Sequence, residues 1–307
     1  MNFSVANRKQ ITSALLLLLA SVVWGAAFVA QSIAGAEIGT YTFNGIRYMI
    51  GGVCLLPLLF KQGSSPFTAD KSKLIGGVIC GLALFFASTC QQAGIAAGAA
   101  AGEAGFLTAC YIVIVPIIGL FLGKKCTKLI WLAVATALLG LYLLCLPDFS
   151  AQAGRFLGLS FPDVLLLACA FLFSIQILCV DHYAPIMSPV ALSCVQFFVA
   201  GAVSIVAAIL FEVLPDPAAW ISPLTEFNNW IPILYTGIFS SAIGYTLQAV
   251  GQRNLNPTIA SLIMSMESVF STLFGWLILN QTLSLREITG CLLIFSAIIL
   301  AQIPIKK

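Results

Sequence analysis

Glu267 is the acidic residue whose position most strongly indicates a function. It lies ten residues after Pro257 in an apolar stretch, about 15 Å into a helix that rises 1.5 Å per residue. In a helix that crosses a hydrocarbon core about 30 Å thick, this depth is the midplane, where an ionisable side chain is costly and by default functional. Glu267 is therefore a candidate to bind a solute and to take up and release protons. The alternative is a structural carboxylate that hydroxyls such as Ser271 satisfy or that pairs with Arg47.

Tyr111 is the residue equivalent to Glu267 when the chain is aligned with itself at an offset of 156 residues. Both lie on helical faces next to stripes of small residues, and such stripes allow helices to pack closely. The same faces carry Thr108 beside Tyr111, and Met264 and Ser271 beside Glu267. We expect these five side chains to form walls of a cavity that binds a small solute.

One basic, three amide and three aromatic side chains complete the candidate substrate-binding set: Arg47; Gln92, Gln176 and Gln248; Trp24, Phe28 and Phe173. Arg47 suits an anionic group, but its alternatives are to snorkel to the membrane surface or to pair with an acid. An amide among aromatic walls suits an amino-acid-like or aromatic solute. The alternatives are interfacial positions for the glutamines and plain packing for the rings.

The cysteine and histidine residues do not indicate a metal site or a cofactor. The ten cysteines contain no C-x-x-C pair, most of them lie in apolar runs, and the single histidine, His182, has no nearby ligand set. A G-x-x-x-x-G-K-[ST] motif for nucleotide phosphates is also absent from the sequence. We therefore expect no catalytic residue, no metal and no cofactor.

These residues belong to a chain that is 60% hydrophobic and 8% charged, with a mean hydropathy of +1.05. That is too little charge to cover a soluble globule of 307 residues, which indicates an integral protein of the lipid bilayer. The apolar residues form unbroken runs and not the alternation of barrel strands, so the predicted fold is all-α. Ten transmembrane helices are predicted near residues 11–33, 40–60, 74–95, 102–122, 127–146, 162–180, 189–211, 230–251, 257–279 and 285–303.

The chain contains an internal repeat. An offset of 156 residues aligns Gly81–Leu144 with Gly237–Leu300 without a gap, and an offset of 149 aligns the first two helices with the sixth and seventh. The predicted repeats are residues 1–148, with helices 1 to 5, and residues 149–307, with helices 6 to 10. Because each repeat has an odd number of helices, the second must be inverted relative to the first. Inverted repeats predict a binding site between the halves near the midplane, with alternating access from the two sides.

Basic residues predict the orientation in the membrane. With the N-terminus in the cytoplasm, eleven lysines and arginines fall on the inner side and two, Arg155 and Arg286, on the outer side. The positive-inside rule therefore places both termini in the cytoplasm, in a multi-pass protein of the plasma membrane. The net charge of +3 forms no basic face, so no nucleic-acid partner is expected.

The segment Trp24-Gly25-Ala26-Ala27-Phe28 and the pair Arg47-Tyr48 resemble signatures of the drug/metabolite transporter superfamily, in its ten-helix EamA-like family. The stretches Gly105–Gly123 and Ser261–Leu279 resemble the repeat core of that family. The resemblance implies two inverted five-helix repeats that carry small metabolites, often outward. It also implies a central cavity lined mainly by helices 1, 3, 4, 6, 8 and 9.

Three classes of function compete. The favoured one is a secondary active transporter, an exporter of a small metabolite such as an amino acid or a related amphipathic solute, and not an enzyme. An integral-membrane enzyme of lipid or isoprenoid metabolism would show histidine or paired-acid clusters, and a channel-like facilitator would show rings of charged or carbonyl groups. The sequence shows no such pattern. Coupling to protons and the oligomeric state stay open.

Overall fold

The structure is a computed structural model that describes residues 5–62, 71–99, 101–145, 160–279 and 284–301. Every regular element within these ranges is helical. The α-helices are α1 (Val5–Gly35), α2 (Thr40–Lys61), α3 (Lys71–Ala96), α4 (Ala101–Ala109), α5 (Tyr111–Phe121), α6 (Lys128–Cys145), α7 (Phe161–Tyr183), α8 (Pro189–Ala208), α9 (Pro217–Thr225), α10 (Phe227–Tyr235), α11 (Thr246–Gln252), α12 (Pro257–Met264), α13 (Met266–Leu279) and α14 (Leu285–Ala301), and the π-helices are π1 (Ile209–Val213) and π2 (Thr236–Tyr245). The predicted boundary between repeats at residues 148 and 149 and the C-terminal lysines lie outside the described residues.

Eight helical segments in the described ranges are long and apolar enough to cross a membrane, in agreement with a multi-pass helical membrane protein. In two of them the helix type changes, since π1 continues α8 and π2 joins α10 to α11. The fifth and tenth predicted helices correspond to α6 and α14, which are shorter, at 18 and 17 residues. Large apolar side chains such as Phe60 and Phe121 are exposed on the outside, as suits a surface that contacts lipid. Ten crossings stay a prediction.

The fourth and ninth predicted helices are each interrupted near the middle. Cys110 separates α4 from α5, and Ser265 separates α12 from α13, within one residue of the same position in the 156-residue repeat. Backbone carbonyls at an interruption need donors from outside the helix. The Ser21 hydroxyl of α1 lies near three carbonyl oxygens, that of Leu17 in its own helix at 2.9 Å and those of Ile263 and Met264 at 3.1 and 3.3 Å, and its single proton can be donated to one of them at a time. The ninth helix is therefore tied to α1 at its break.

Small residues bring α1 and α4 close to α13. A Cβ added at Gly25 in α1 would lie 2.8 Å from two backbone atoms of α13. The hydroxyl of Ser268 in α13 donates to the carbonyl oxygen of Gly105 in α4 at 2.8 Å. The close packing does not extend to Gly119 in α5, where an added Cβ would meet no atom nearer than 3.6 Å.

Two equivalent glycines make reciprocal contacts. A Cβ at Gly81 in α3 would lie 2.8 Å from the carbonyl oxygen of Gln196 in α8, and one at Gly237 in π2 would lie 3.2 Å from that of Arg47 in α2. Gly81 and Gly237 are equivalent at the offset of 156, and Arg47 and Gln196 are equivalent at the offset of 149. Gly81 of the first half thus packs against the second half in the same way as Gly237 of the second half packs against the first.

A carboxylate from another helix holds the start of α2. Glu212 in π1 accepts hydrogen bonds from the backbone N–H groups of Tyr41 and Thr42, both at 2.8 Å, and from the Thr42 hydroxyl at 2.6 Å. N–H groups in the first turn have no partner within their own helix, and a carboxylate there also complements the helix dipole. This anchor lies five residues before Arg47 and fixes the helix that carries it.

Candidate functional site

A partly open cavity lies where α1, α7, π2 and the two interrupted helices meet. Aromatic rings, amides and two charged groups dominate its walls. The lining residues are Trp24, Ala27, Phe28, Gln31, Arg47, Gln91, Thr108, Tyr111, Phe173, Gln176, Ile177, Ser240, Tyr245, Gln248, Met264 and Glu267. Ten of the twelve predicted substrate-binding residues are among them.

Tyr111 and Glu267, the equivalent residues of the two repeats, are hydrogen-bonded to each other. The Tyr111 hydroxyl donates to Oε1 of Glu267 at 3.0 Å, and both side chains are buried. Among the described residues this is the one side-chain hydrogen bond that the carboxylate accepts. A hydroxyl is a neutral donor, so it orients the carboxylate without supplying a positive charge. The site therefore contains a carboxylate that is available to a cation or a proton.

Neither Ser271 nor Arg47, the structural partners predicted for Glu267, bonds to its carboxylate among the described residues. The Ser271 hydroxyl is directed to the carbonyl oxygen of Ala101 in α4, at 3.5 Å. In the part of the chain that the structure describes, Arg47 and Glu267 form no ion pair, and the Arg47 guanidinium bonds elsewhere. The two opposite charges line one cavity and remain apart.

Arg47 is buried among neutral groups. Its side chain is 2% exposed, so it does not snorkel to the surface. One terminal nitrogen donates to Oε1 of Gln31 at 3.3 Å, and the other donates to the Tyr48 hydroxyl at 2.9 Å. The guanidinium also lies 5.3 Å from the ring centre of Phe43 and 4.7 Å from that of Tyr48, within the range of cation–π attraction.

The π-helix supplies one wall of the cavity. The indole N–H of Trp24 donates to the carbonyl oxygen of Ser240 at 3.2 Å, and its ring centre lies 5.0 Å from that of Tyr245. Hydrogen bonds of a π-helix join residues five apart, so Ser240 and Tyr245 lie on the same face. Short π segments within helices often occur at functional sites. Here the segment brings an aromatic ring and a backbone carbonyl to the cavity.

Three glutamine side chains form a hydrogen-bonded row on another side of the cavity. Nε2 of Gln248 donates to Oε1 of Gln176 at 3.1 Å, and Nε2 of Gln176 donates to Oε1 of Gln196 at 3.5 Å. Oε1 of Gln248 and Nε2 of Gln196 are buried and have no hydrogen-bond partner among the described residues. A buried amide atom without a hydrogen-bond partner is unfavourable in free energy. These glutamines therefore retain capacity to bind water or a polar solute.

Two predicted site residues lie outside the cavity walls. Gln92 is turned toward α1 and donates to the backbone oxygen of Gln31 at 3.2 Å, while Ser271 packs against α4. Gln91, the residue before Gln92, lines the cavity instead and donates to the Thr108 hydroxyl at 3.3 Å. The lining residues that the sequence did not predict are Ala27, Gln31, Gln91, Ile177, Ser240 and Tyr245.

Helical spacing contains a signal for four of these residues. Trp24, Ala27, Phe28 and Gln31 recur at i, i+3, i+4 and i+7, which is one face of a helix. Extending the predicted face from Trp24 and Phe28 along the helix therefore finds Ala27 and Gln31. The same spacing relates Ile177 to Phe173 and Gln176, at i, i+3 and i+4, and relates Tyr245 to Gln248, three residues later.

Clusters of metal-ligating side chains do not occur in the described ranges, where no three His, Cys, Asp or Glu residues could hold an ion together. The cysteines that the structure describes are all free.

Known proteins resemble this chain over most of its length. The model of the EamA-like transporter family matches residues 11–146 and 160–302. An uncharacterized transporter of Archaeoglobus fulgidus is 27% identical over 304 residues, which cover 97% of this chain and 88% of the relative. Protein PecM of Dickeya dadantii is 33% identical over 107 residues, 35% of this chain and 34% of that protein. A chain of known crystal structure has the same fold, with a TM-score of 0.74 at 20% identity over 94% of this chain and 96% of its own.

Proposed function

This chain belongs to the EamA-like transporter family, and we propose that it is a secondary active transporter of a small metabolite, such as an amino acid or a related amphipathic solute. It exports the solute by alternating access, with the cavity opening in turn to each side of the membrane. Protons that bind at Glu267 drive the cycle. The matched family is a transporter family, which supports the proposal that the chain is not an enzyme.

The hydrogen bond between Tyr111 and Glu267 is the observation that carries this proposal. Each residue lies just after an interruption in its helix, and the two interruptions occupy equivalent places in the repeat. Discontinuous helices typically form the substrate and ion sites of transporters built from repeats. The bond joins the two halves at the cavity, so a rocking motion of one half against the other would break it. Protonation of Glu267 removes the negative charge at this contact, and this change of charge couples proton binding to the motion.

The proposal includes ten transmembrane helices in two inverted five-helix repeats, residues 1–148 and 149–307. The family model matches the chain twice, once on each side of the boundary, which supports the division. The reciprocal contacts of Gly81 and Gly237 support a two-fold relation between the halves. In this arrangement the cavity lies near the bilayer midplane, and both termini are in the cytoplasm of a plasma-membrane protein.

Cysteine labelling of intact cells tests the orientation. Asp216 and Lys125 are both exposed, and the proposed topology places them on opposite sides of the membrane. In a variant without native cysteines, an impermeant reagent added outside should label a cysteine at position 216 and not one at position 125, because the reagent cannot cross the bilayer. Permeabilised cells, in which both positions should react, are the control. Labelling of position 125 alone in intact cells would show that the protein has the opposite orientation.

Flux through purified protein in liposomes tests the transport function. A panel of amino acids, nucleobases and aromatic cations is measured with and without an imposed pH gradient. We expect at least one class to accumulate against its own gradient when protons flow the other way, since coupling is what separates a secondary transporter from a facilitator. Flux that only equalises concentrations would indicate a channel-like facilitator. No flux above that of empty liposomes for any solute would contradict the proposal.

A further inference from the structure

Arg47 is a buried cation in the cavity that forms no ion pair with an acidic side chain of the described residues. We infer that it binds a carboxylate of the transported solute, so that the substrates are small monocarboxylates with an apolar or aromatic body. This inference rests on the proposed function and adds the chemical class of the solute.

The guanidinium is charged, buried and without an acidic partner among the described residues. An arginine stays protonated in proteins and has five N–H donors in a planar fork that matches a carboxylate. Here the two terminal nitrogens donate to the neutral oxygens of Gln31 and Tyr48, and Nε is buried with no partner in the described structure. A buried charge without a counterion is unfavourable, because the lost hydration is not replaced. An anion that enters the cavity would restore the missing interaction.

The second half of the chain provides an internal comparison. Gln196 is the equivalent of Arg47 at the offset of 149, and it is neutral and bonded to Gln176. The next residues are equivalent too: Tyr48 stacks on Phe197, with ring centres 5.9 Å apart and planes 6° from parallel. The helices thus pack in the same way around a neutral amide in one half and a guanidinium in the other. The second half packs without a charge at this position, so packing alone does not account for the guanidinium of Arg47.

The composition of the cavity selects a monocarboxylate over a phosphate. Arg47 is the one basic side chain among the described lining residues, and Glu267 lines the same cavity. A phosphate ester carries nearly two negative charges at neutral pH and would meet one cation and a carboxylate. A single carboxylate matches the single guanidinium. The rings of Trp24, Phe28 and Tyr245 suit the apolar part of the solute.

Thermal unfolding of the full-length protein in detergent measures binding without requiring transport. The probes are phenylacetate, 4-methylpentanoate and L-phenylalanine, each compared with its own primary amide, which keeps the shape and removes the carboxylate charge. A ligand that binds the folded state raises the unfolding midpoint as its concentration increases. We expect at least one acid to raise the midpoint of the wild-type protein and its amide to have no effect at the same concentration.

Variants assign the effect to Arg47. Arg47→Gln copies the neutral side chain of the other half and should weaken binding of the acid by about tenfold to a hundredfold, which is typical of a lost charged hydrogen bond. Arg47→Lys keeps the charge without the planar fork and should bind with intermediate affinity. Arg253→Gln, which removes an exposed positive charge, is the matched control and should bind like the wild type.

Several results would overturn the inference. They are equal shifts by acids and amides, no shift by any acid, or an unchanged affinity in Arg47→Gln. The comparison of acid with amide uses the wild-type protein, so it stands even if a variant fails to fold. Flux that persists without acid-specific binding contradicts only the role of Arg47. Acid-specific binding without any flux contradicts the proposed transport function and supports the role of Arg47.

Discussion

Replacing Gly25 with alanine is expected to prevent α1 from packing against α13. The added Cβ would collide with the Cβ of Phe270 and lie 2.8 Å from the Phe270 carbonyl carbon and from the Ser271 nitrogen. Backbone atoms in the middle of a helix cannot rotate away as a side chain can, so the two helices must separate. Overpacking of a core costs about 1 to 3 kcal/mol and sometimes more, and a clash with backbone belongs at the upper end.

The measurement is the yield of monodisperse protein and its midpoint of thermal unfolding in detergent. Gly102→Ala is the matched control, because a Cβ at Gly102 in α4 would meet no atom within 4 Å. Alanine is favoured over glycine in a helix by about 0.5 to 1 kcal/mol, so this control should unfold at the same temperature as the wild type or slightly higher. Equal midpoints for the two variants would contradict the close contact between α1 and α13.

Composition and spacing predict the helical segments well, because lipid imposes strong constraints on a sequence. Backbone groups in a hydrocarbon core must bond within their own segment, so each crossing appears as one long apolar run between polar residues. Caps are also local: α12 begins at Pro257, where the ninth helix is predicted to begin, and the Asn256 side chain accepts from the Thr258 N–H at 2.9 Å.

The interruptions at Cys110 and Ser265 are not predictable in the same way. Neither residue is a proline or a glycine, so residue type alone does not indicate a break. The hydroxyl that can donate to the carbonyl oxygen of Ile263 or of Met264 belongs to Ser21, more than 240 residues earlier in the chain. Such a contact exists only after the helices have assembled.

The π-helix brings together side chains that a regular α-helix would separate. In an α-helix, with 100° per residue, five residues place two side chains about 140° apart. In π2 the hydrogen bonds join residues five apart, and Ser240 and Tyr245 both reach the cavity. By contrast, Tyr111 and Glu267 were predicted as equivalents from the repeat alone, and they are in contact. The repeat identifies equivalent positions that are far apart in the sequence, whereas helical spacing relates only residues within one helix.

Glu267→Gln is expected to abolish the response of transport to a pH gradient. The amide has nearly the same volume as the carboxylate, and its oxygen can still accept the hydrogen bond from Tyr111 that Oε1 accepts at 3.0 Å. It cannot take up or release a proton. Accumulation of solute in liposomes should therefore fall to the level measured without a gradient, while the unfolding midpoint stays close to that of the wild type.

Tyr111→Phe is the matched control for this result. It removes the hydroxyl that bonds to Glu267 and keeps the carboxylate, so the protein should still respond to a gradient. Loss of the response in both variants would show that coupling requires the hydrogen bond as well as the proton on Glu267.

Flux measured against solute concentration separates the remaining roles of Glu267. If the carboxylate binds an ammonium group of the solute, Glu267→Gln should weaken binding by up to about 3 kcal/mol, or roughly a hundredfold, because a charged hydrogen bond is lost. The response to a pH gradient would then persist at saturating solute. If the carboxylate only stabilises the fold, affinity and coupling should both stay normal, and the unfolding midpoint alone should fall. Normal flux, affinity and gradient response in the Gln variant would exclude Glu267 from the transport mechanism and leave the other cavity residues to account for coupling.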